Sequence, residues 1–372
     1  MKNVFLGIPI ALFFMQIQTN NTVTNNEVID YNKIDTGNMY NKIFNFPSQL
    51  EHASRISQNI NYQRQYNNIN AIVCAGMGGS GIAGNIAELF TKSQLTIPFV
   101  TVKNYTLPHW CNEQTLVILV SYSGNTEETL ACFQEALAKK SQIIGITSGG
   151  KLQKQLSNYN FDIISIPAGL PPRAALGYLA VPILYCLYQL QLIATNPTNE
   201  LLNTCKTLKK SQTLFSQATN DNPSFKLAQQ LQNKLPIIYG ETETSACIAT
   251  RWRTQLAENS KVLANTQILP ELNHNEIVGW HETTLKNIGI IWLLDDAMHP
   301  RNKLRYHFSK NIICNHGGSQ YEVTSSGNSL MERIFYLIYF GDWVSFWLAI
   351  MNNVNPTAID NINQLKELMS TV

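Results

Sequence analysis

The sequence predicts an α/β fold of two domains, each a parallel β-sheet covered by helices on both faces. Three observations predict it. The chain has 372 residues, whereas one domain usually takes roughly 100–200. Its short strands are apolar throughout, without the polar alternation of a sheet that has one wet face. Strands alternate with helices in two runs, which is the pattern of parallel sheets with crossover helices.

In chain order, residues 1–38 are an extension. Met1 to Met15 reads MKNVFLGIPIALFFM, one Lys before an apolar run. That is the length of a signal-peptide core and too short to span a bilayer. No A-x-A site follows. Export stands beside two plainer readings, an unstructured leader or a start placed too far upstream, with Met39 as the alternative. Residues 16–38 are rich in Asn and Thr and are expected to be disordered.

The first domain is 39–195. Ser48 to Asn59 has a helical pattern, and Ala71 to Ala75 is a short strand followed by a glycine-rich turn. Ile82 to Leu89 reads as helix, Pro98 to Val102 and Thr115 to Val120 as strands, and Glu127 to Ala138 as helix. Ile143 to Ile146 and Asp162 to Ile166 are further strands, before a long apolar helix from Arg173 to Leu190. Polar residues 196–222 are the candidate linker.

The second domain is 223–372. Pro236 to Tyr239 is strand, Ser245 to Glu258 helix, and Gln267 to Leu269 and Ile288 to Leu294 strands. Arg301 to Ser309 is helical, Tyr321 to Val323 is a strand, and a helix around Ile359 to Met369 closes the chain. Ile334 to Met351 is long and apolar enough to suggest a membrane, but Gly341, Asp342 and Ser345 interrupt it. A charge at that depth costs about 2.5–3.5 kcal/mol. A buried helix near a domain or subunit interface is the better reading.

Hydrophobic residues make up 44% of the chain, which excludes disorder and coiled coil. Charged residues are only 14%, against about 25% typically. The balance of 27 basic and 25 acidic residues leaves +2. That argues against a basic polynucleotide binder and leaves room for a local anion site. The seven cysteines are an odd count with no CxxC, so a disulfide framework and structural zinc are poor readings. Reduced thiols in the cytoplasm fit better, although the leader leaves export open.

Five segments carry chemistry. Gly76-Met77-Gly78-Gly79-Ser80-Gly81 follows a strand and opens a helix. It satisfies G-x-G-x-x-G, but a dinucleotide site wants an acid at the end of the next strand, where Lys103 stands. An anion-binding nest at a helix amino end and a tight structural turn both remain. Ser121-Tyr122-Ser123-Gly124-Asn125-Thr126 also lies between strand and helix. Its three hydroxyls favour a phosphate cradle, with a simple N-cap by Thr126 or Asn125 as the alternative.

Pro171-Pro172-Arg173 places a guanidinium where it can meet an anion. Glu258-Asn259-Ser260-Lys261 and Glu271-Leu272-Asn273-His274-Asn275-Glu276 supply a carboxylate and an imidazole, standard partners in proton transfer. Either can also be an ordinary polar group. His274, Glu276 and His281 lie close in sequence, but they lack a zinc-type spacing.

Taken together, AGMGGSGIAGN, SYSGNTEETL, PPRAALGY, ENSKVLA and ELNHNEIVGW resemble the bifunctional phosphoglucose/phosphomannose isomerases, two-domain members of the sugar-isomerase (SIS) fold. The resemblance runs from about residue 40 to the end. It implies two SIS domains, each a flavodoxin-like three-layer sandwich. It implies that Gly79, Ser80, Ser121, Ser123 and Thr126 hold a hexose 6-phosphate, and that Glu258 is the base moving a proton between C1 and C2. It also implies that His274, from across a homodimer interface, assists ring opening, with Lys366 near the ring oxygen and Arg173 stabilising the intermediate. The family works without metal or organic cofactor. A phosphosugar-sensing protein without catalysis is the alternative, although a sensor needs only the hydroxyl cradle and no helix-turn-helix accompanies it. Neither nucleic acid nor a membrane is an expected partner.

Overall fold

The computed structural model describes residues 30–282 and 287–369. Two helices, α1 (Met39–Phe44) and α2 (Phe46–Gln58), precede the first sheet. There follow β1 (Ala71–Ala75), α3 (Gly78–Thr91), β2 (Phe99–Val102), β3 (Thr115–Ser121) and α4 (Glu127–Ala138). Then come β4 (Gln142–Thr147), α5 (Gly150–Asn158), β5 (Asp162–Ser165) and α6 (Leu176–Gln189). The strands are all parallel, in the order β2-β1-β3-β4-β5. Every residue of β1 and β3 is buried, as strands covered on both faces require.

The second half begins with α7 (Thr198–Phe215) and α8 (Pro223–Leu231). It continues through β6 (Leu235–Glu241), α9 (Ala246–Ser260), β7 (Asn265–Leu269), β8 (Ile288–Leu294) and α10 (Pro300–Asn315). It ends with β9 (Ser319–Thr324), α11 (Leu330–Met351) and α12 (Asp360–Met369). Its sheet is parallel in the order β7-β6-β8-β9. The expected fold class is the observed one, two parallel sheets flanked by helices.

Four details differ from the sequence reading. The stretch 196–222 is not an open linker, because α7 fills most of it. Leu201, Thr204, Cys205, Leu208 and Phe215 form its buried stripe. Polar residues on the outer face raise the average polarity without breaking the helical period. The second detail is the extension, whose residues 30–38 belong to the folded body. The Tyr31 ring stacks on Tyr40 at 4.7 Å, and the Asp35 carboxylate accepts from the amides of Met39 and Tyr40 at 2.7 and 2.8 Å. The signal-like Met1 to Met15 lies outside the described residues. Third, the glycine-rich turn is already the first turn of α3. Fourth, α1, α5 and α8 are helices that the sequence reading passed over, and the helix expected from Arg173 begins only at Leu176, with Arg173 on a separate 3-10 turn before it.

One buried cluster runs through both halves. It joins Ile72, Ile118 and Ile146 of the first sheet to Ile238 and Ile291 of the second, through α6, α7 and α11. Helix α11 is an interior helix, with 89% of its apolar window buried. Gly341 lets it approach α9, since a Cβ there would lie 2.3 Å from the Trp252 indole. The charge inside it, Asp342, pairs with Arg251 at 2.7 Å and accepts from Gln255 at 2.8 Å. A buried carboxylate needs such partners.

Candidate active site

The glycine-rich and serine-rich turns leave the carboxyl ends of β1 and β3. These strands are neighbours at the point where the sheet order reverses, the crevice where open parallel sheets hold ligands. The two turns touch. A Cβ on Gly76 would lie 2.7 Å from the Val120 carbonyl, at the end of β3. Ser80 is buried on the first turn of α3, and Met77 at that helix's N-cap makes no side-chain capping bond.

In the second turn the Ser121 and Thr126 hydroxyls share a hydrogen bond at 2.9 Å, and the Gly124 amide donates to Ser121 Oγ at 3.1 Å. Gly124 has φ of 66°, and a Cβ there would sit 1.8 Å from the Gly149 carbonyl, so no side chain fits. The exposed Ser123 hydroxyl accepts from the Asn125 amide at 3.2 Å. Thr126 occupies the N-cap of α4 but makes no capping bond. Asn125 is engaged elsewhere, accepting from the Lys151 amide at 3.0 Å. The simple capping reading therefore fails at both residues. Two helix amino ends and the hydroxyls of Ser80, Ser121, Ser123 and Thr126 lie at one crevice, and this arrangement suits a phosphate dianion.

Arg173 lies beside the glycine turn, on the short 3-10 turn Pro172–Ala174. A Cβ on Gly79 would come within 2.9 Å of the Pro172 carbonyl. The guanidinium is almost wholly buried, and four of its five N–H groups donate within the chain. Nε donates to Asn259 Oδ1 at 2.6 Å and Nη1 to Glu258 Oε2 at 3.2 Å. Nη2 donates to the carbonyls of Pro356 and Thr357 at 2.7 and 3.1 Å. Burial pulls the Arg173 pKa down, and the Glu258 carboxylate opposes that pull. Glu258 itself is half-buried, with 29% of its side chain exposed, so a substrate can reach it.

A second layer fixes this pair. Asn259 Nδ2 donates to Ser345 Oγ at 3.0 Å, and Arg251 Nη2 donates to the Arg173 carbonyl at 3.2 Å while pairing with Asp342. Lys261 Nζ donates to the carbonyls of Glu258 and Asn355, each at 2.7 Å. Its pKa is lowered by burial first and by Arg173 second. Asn259, Arg251 and the 355–357 turn were not read from the sequence. Asp342 was the available signal, a charge in an apolar helix, which asks for a cation opposite.

The structure thus brings together Gly79, Ser80, Ser121, Ser123 and Thr126 in one crevice, with Arg173 and Glu258 at its side. It does not bring His274 or Lys366 to them within the chain. His274 ends the 3-10 turn Glu271–His274 and is exposed. Lys366 is exposed on α12. Neither side chain shows a hydrogen bond or ion pair to another described residue. Glu276 turns inward to the Tyr239 hydroxyl, and burial raises its carboxyl pKa. Among the described residues no three His, Cys, Asp or Glu side chains converge as metal ligands.

Residues 65–175 match the SIS domain, and residues 220–369 match the bacterial phospho-glucose isomerase C-terminal SIS domain. A bifunctional phosphoglucose/phosphomannose isomerase of Caldicellulosiruptor bescii is 39% identical over 339 residues, covering 90% of this chain and 99% of the relative. One from Aquifex aeolicus is 35% identical, covering 80% and 89%. A hypothetical protein of Thermus thermophilus shares the fold at a TM-score of 0.70 and 13% identity, covering 90% of each chain.

Proposed function

This chain belongs to the family of bifunctional phosphoglucose/phosphomannose isomerases, and we propose from that premise how it interconverts glucose 6-phosphate and mannose 6-phosphate with fructose 6-phosphate. One observation carries the assignment of its machinery. A carboxylate from the second half, Glu258, is paired at 3.2 Å with a buried guanidinium that abuts the phosphate-type turns of the first half.

The phosphate sits on Gly79, Ser80, Ser121, Ser123 and Thr126. Its binding energy holds the reacting carbons in place. Ring opening needs an acid and a base at the ring oxygen and the anomeric hydroxyl, the roles given to His274 and Lys366. Glu258 takes the proton from C2 of the open aldose. The C–H electron pair becomes the C1=C2 bond, and the C1 oxygen takes the negative charge. Arg173 stabilises that oxyanion electrostatically. Glu258 returns the proton to C1, and the O2 proton moves to O1, which gives the ketose through a cis-enediol. In the reverse direction, delivery to either face of C2 gives either aldose.

His274 is exposed and apart from Glu258 within one chain, which supports a homodimer with His274 supplied by a second copy. The cysteines, none of them in a disulfide, support a cytoplasmic location. A purely sensing role needs only the hydroxyl cradle and has no use for Glu258, His274 and Lys366 together. The test is a coupled assay that starts from fructose 6-phosphate and resolves both aldoses. Both should appear, and material that leaves hexose monophosphates untouched defeats the proposal. Sedimentation analysis tests the dimer.

A further inference from the structure

The second half repeats the topology of the first. β6 stands between β7 and β8 as β1 stands between β2 and β3. The crevice matching the phosphate cradle is therefore the one at the carboxyl ends of β6 and β8. Local details correspond as well. Gly240 abuts Ser245 at the start of α9 as Gly76 abuts Ser80 at the start of α3. The loop after β8 leads into α10 as the serine turn leads into α4.

This second crevice is occupied by the protein itself. Glu241, the last residue of β6, is fully buried. Its carboxylate accepts from the Glu243 amide at 3.0 Å, the Thr244 hydroxyl at 3.0 Å and the Asn302 amide at 2.7 Å, the last on the first turn of α10. Among the described residues no Lys, Arg or His pairs with it. Buried carboxylates usually have a cation beside them. One held only by a backbone amide, a hydroxyl and a side-chain amide is held as a phosphate is held in a nest. Asp295, just beyond β8, is a separate matter, since Arg333 neutralises it at 2.9 Å.

We propose that the second half retains an anion cradle of its own, filled by the Glu241 carboxylate as a tethered ligand, so that each chain offers one phosphate site and not two. The ligand class of the latent site is a small tetrahedral oxyanion. The inference leans on reading the first crevice as a phosphate site, and the experiment separates the two.

Inorganic phosphate is titrated calorimetrically into the full chain, its Glu241→Ala and Glu241→Gln variants, and each of these with Ser121→Ala and Ser123→Ala. The intact chain should bind one phosphate, Glu241→Ala two, and Glu241→Gln, which still fills the space, one. With the serines removed, Glu241→Ala should keep one. If the intact chain binds none and Glu241→Ala gains one, the first-site reading fails and this proposal stands. If Glu241→Ala binds no more phosphate than its parent, the proposal is overturned. Should Glu241→Ala fail to fold in chloride, its refolding yield should rise several-fold in phosphate at matched ionic strength. A yield indifferent to phosphate also overturns it.

Discussion

Arg173 and Glu258 meet at 3.2 Å across the boundary between the two halves, the guanidinium buried and the carboxylate still open to solvent. The pair leaves a carboxylate within reach of solvent and keeps a fixed positive charge next to it. Replacing Glu258 with Gln keeps the shape and removes the base. Turnover should fall by roughly 10²–10⁴-fold, while hexose 6-phosphate affinity, measured by calorimetry, stays close to that of the parent. Normal turnover would remove Glu258 from its role.

Arg173 serves three directions at once, towards Glu258, Asn259 and the 355–357 turn. A lysine ammonium cannot reproduce that planar fork. Arg173→Lys should lower kcat by about 10²–10³-fold, the scale of losing one oxyanion donor. Asn259→Ala should lower kcat with little change in KM, because it releases the guanidinium without touching the glycine and serine turns. A KM effect that exceeds the kcat effect would contradict this.

Asp342 and Arg251 form an ion pair inside the apolar core. Removing one member leaves a buried charge alone, at a cost of about 3–5 kcal/mol. Asp342→Ala should therefore lower the urea midpoint strongly. The double replacement Arg251→Met with Asp342→Leu should recover much of the loss. If the single variant unfolds at the parental midpoint, the pair is not structural.

Residues 30–38 hold the start of α1 through Tyr31 and Asp35. A chain starting at Met39 should be less stable than one starting at Asp30 by roughly 2 kcal/mol, the sum of an aromatic stack and a helix cap. Equal denaturation midpoints for the two chains would show that these contacts contribute nothing.

Glu322 is held below the usual carboxylate range, first by the Lys310 ammonium and then by the Tyr306 hydroxyl. An acid with a depressed folded pKa contributes stability above its unfolded pKa, near about 4.3. It loses that contribution as pH falls through the folded value. Glu322→Gln should melt below the parent at neutral pH, and the gap should close as the pH drops below about 4. A gap that widens on acidification would reverse the sign of the effect.

Much of this was legible in the residues because the strongest signals are local. Thr115 to Val120 is apolar at nearly every position, and β3 is buried throughout. The glycine and serine turns follow strands directly, and topology alone then sets them side by side. Arg173 and Glu258 lie 85 residues apart, so their pairing needed the resemblance of whole segments. α7 was hidden because its buried stripe is diluted by Lys, Thr and Asn on the outer face. Asn259 went unnoticed because an amide beside a carboxylate at a helix end looks like any surface polar group. It shows its purpose only when Arg173 folds over it. His274 and Lys366 are exposed and stand apart from the crevice within the chain, so their roles rest on the resemblance and not on the geometry.

The shared interior sets a limit on dissection. Strands from both sheets contribute to the same cluster, and α11 lies at its centre. Fragments cut near residue 196 would each present a raw oily wall to water and should precipitate or cling to one another. Mixed under refolding conditions, they should reassemble as complementing pieces. Two sheets here make one cooperative unit, and transplanting either half into another protein would carry away an unfinished surface.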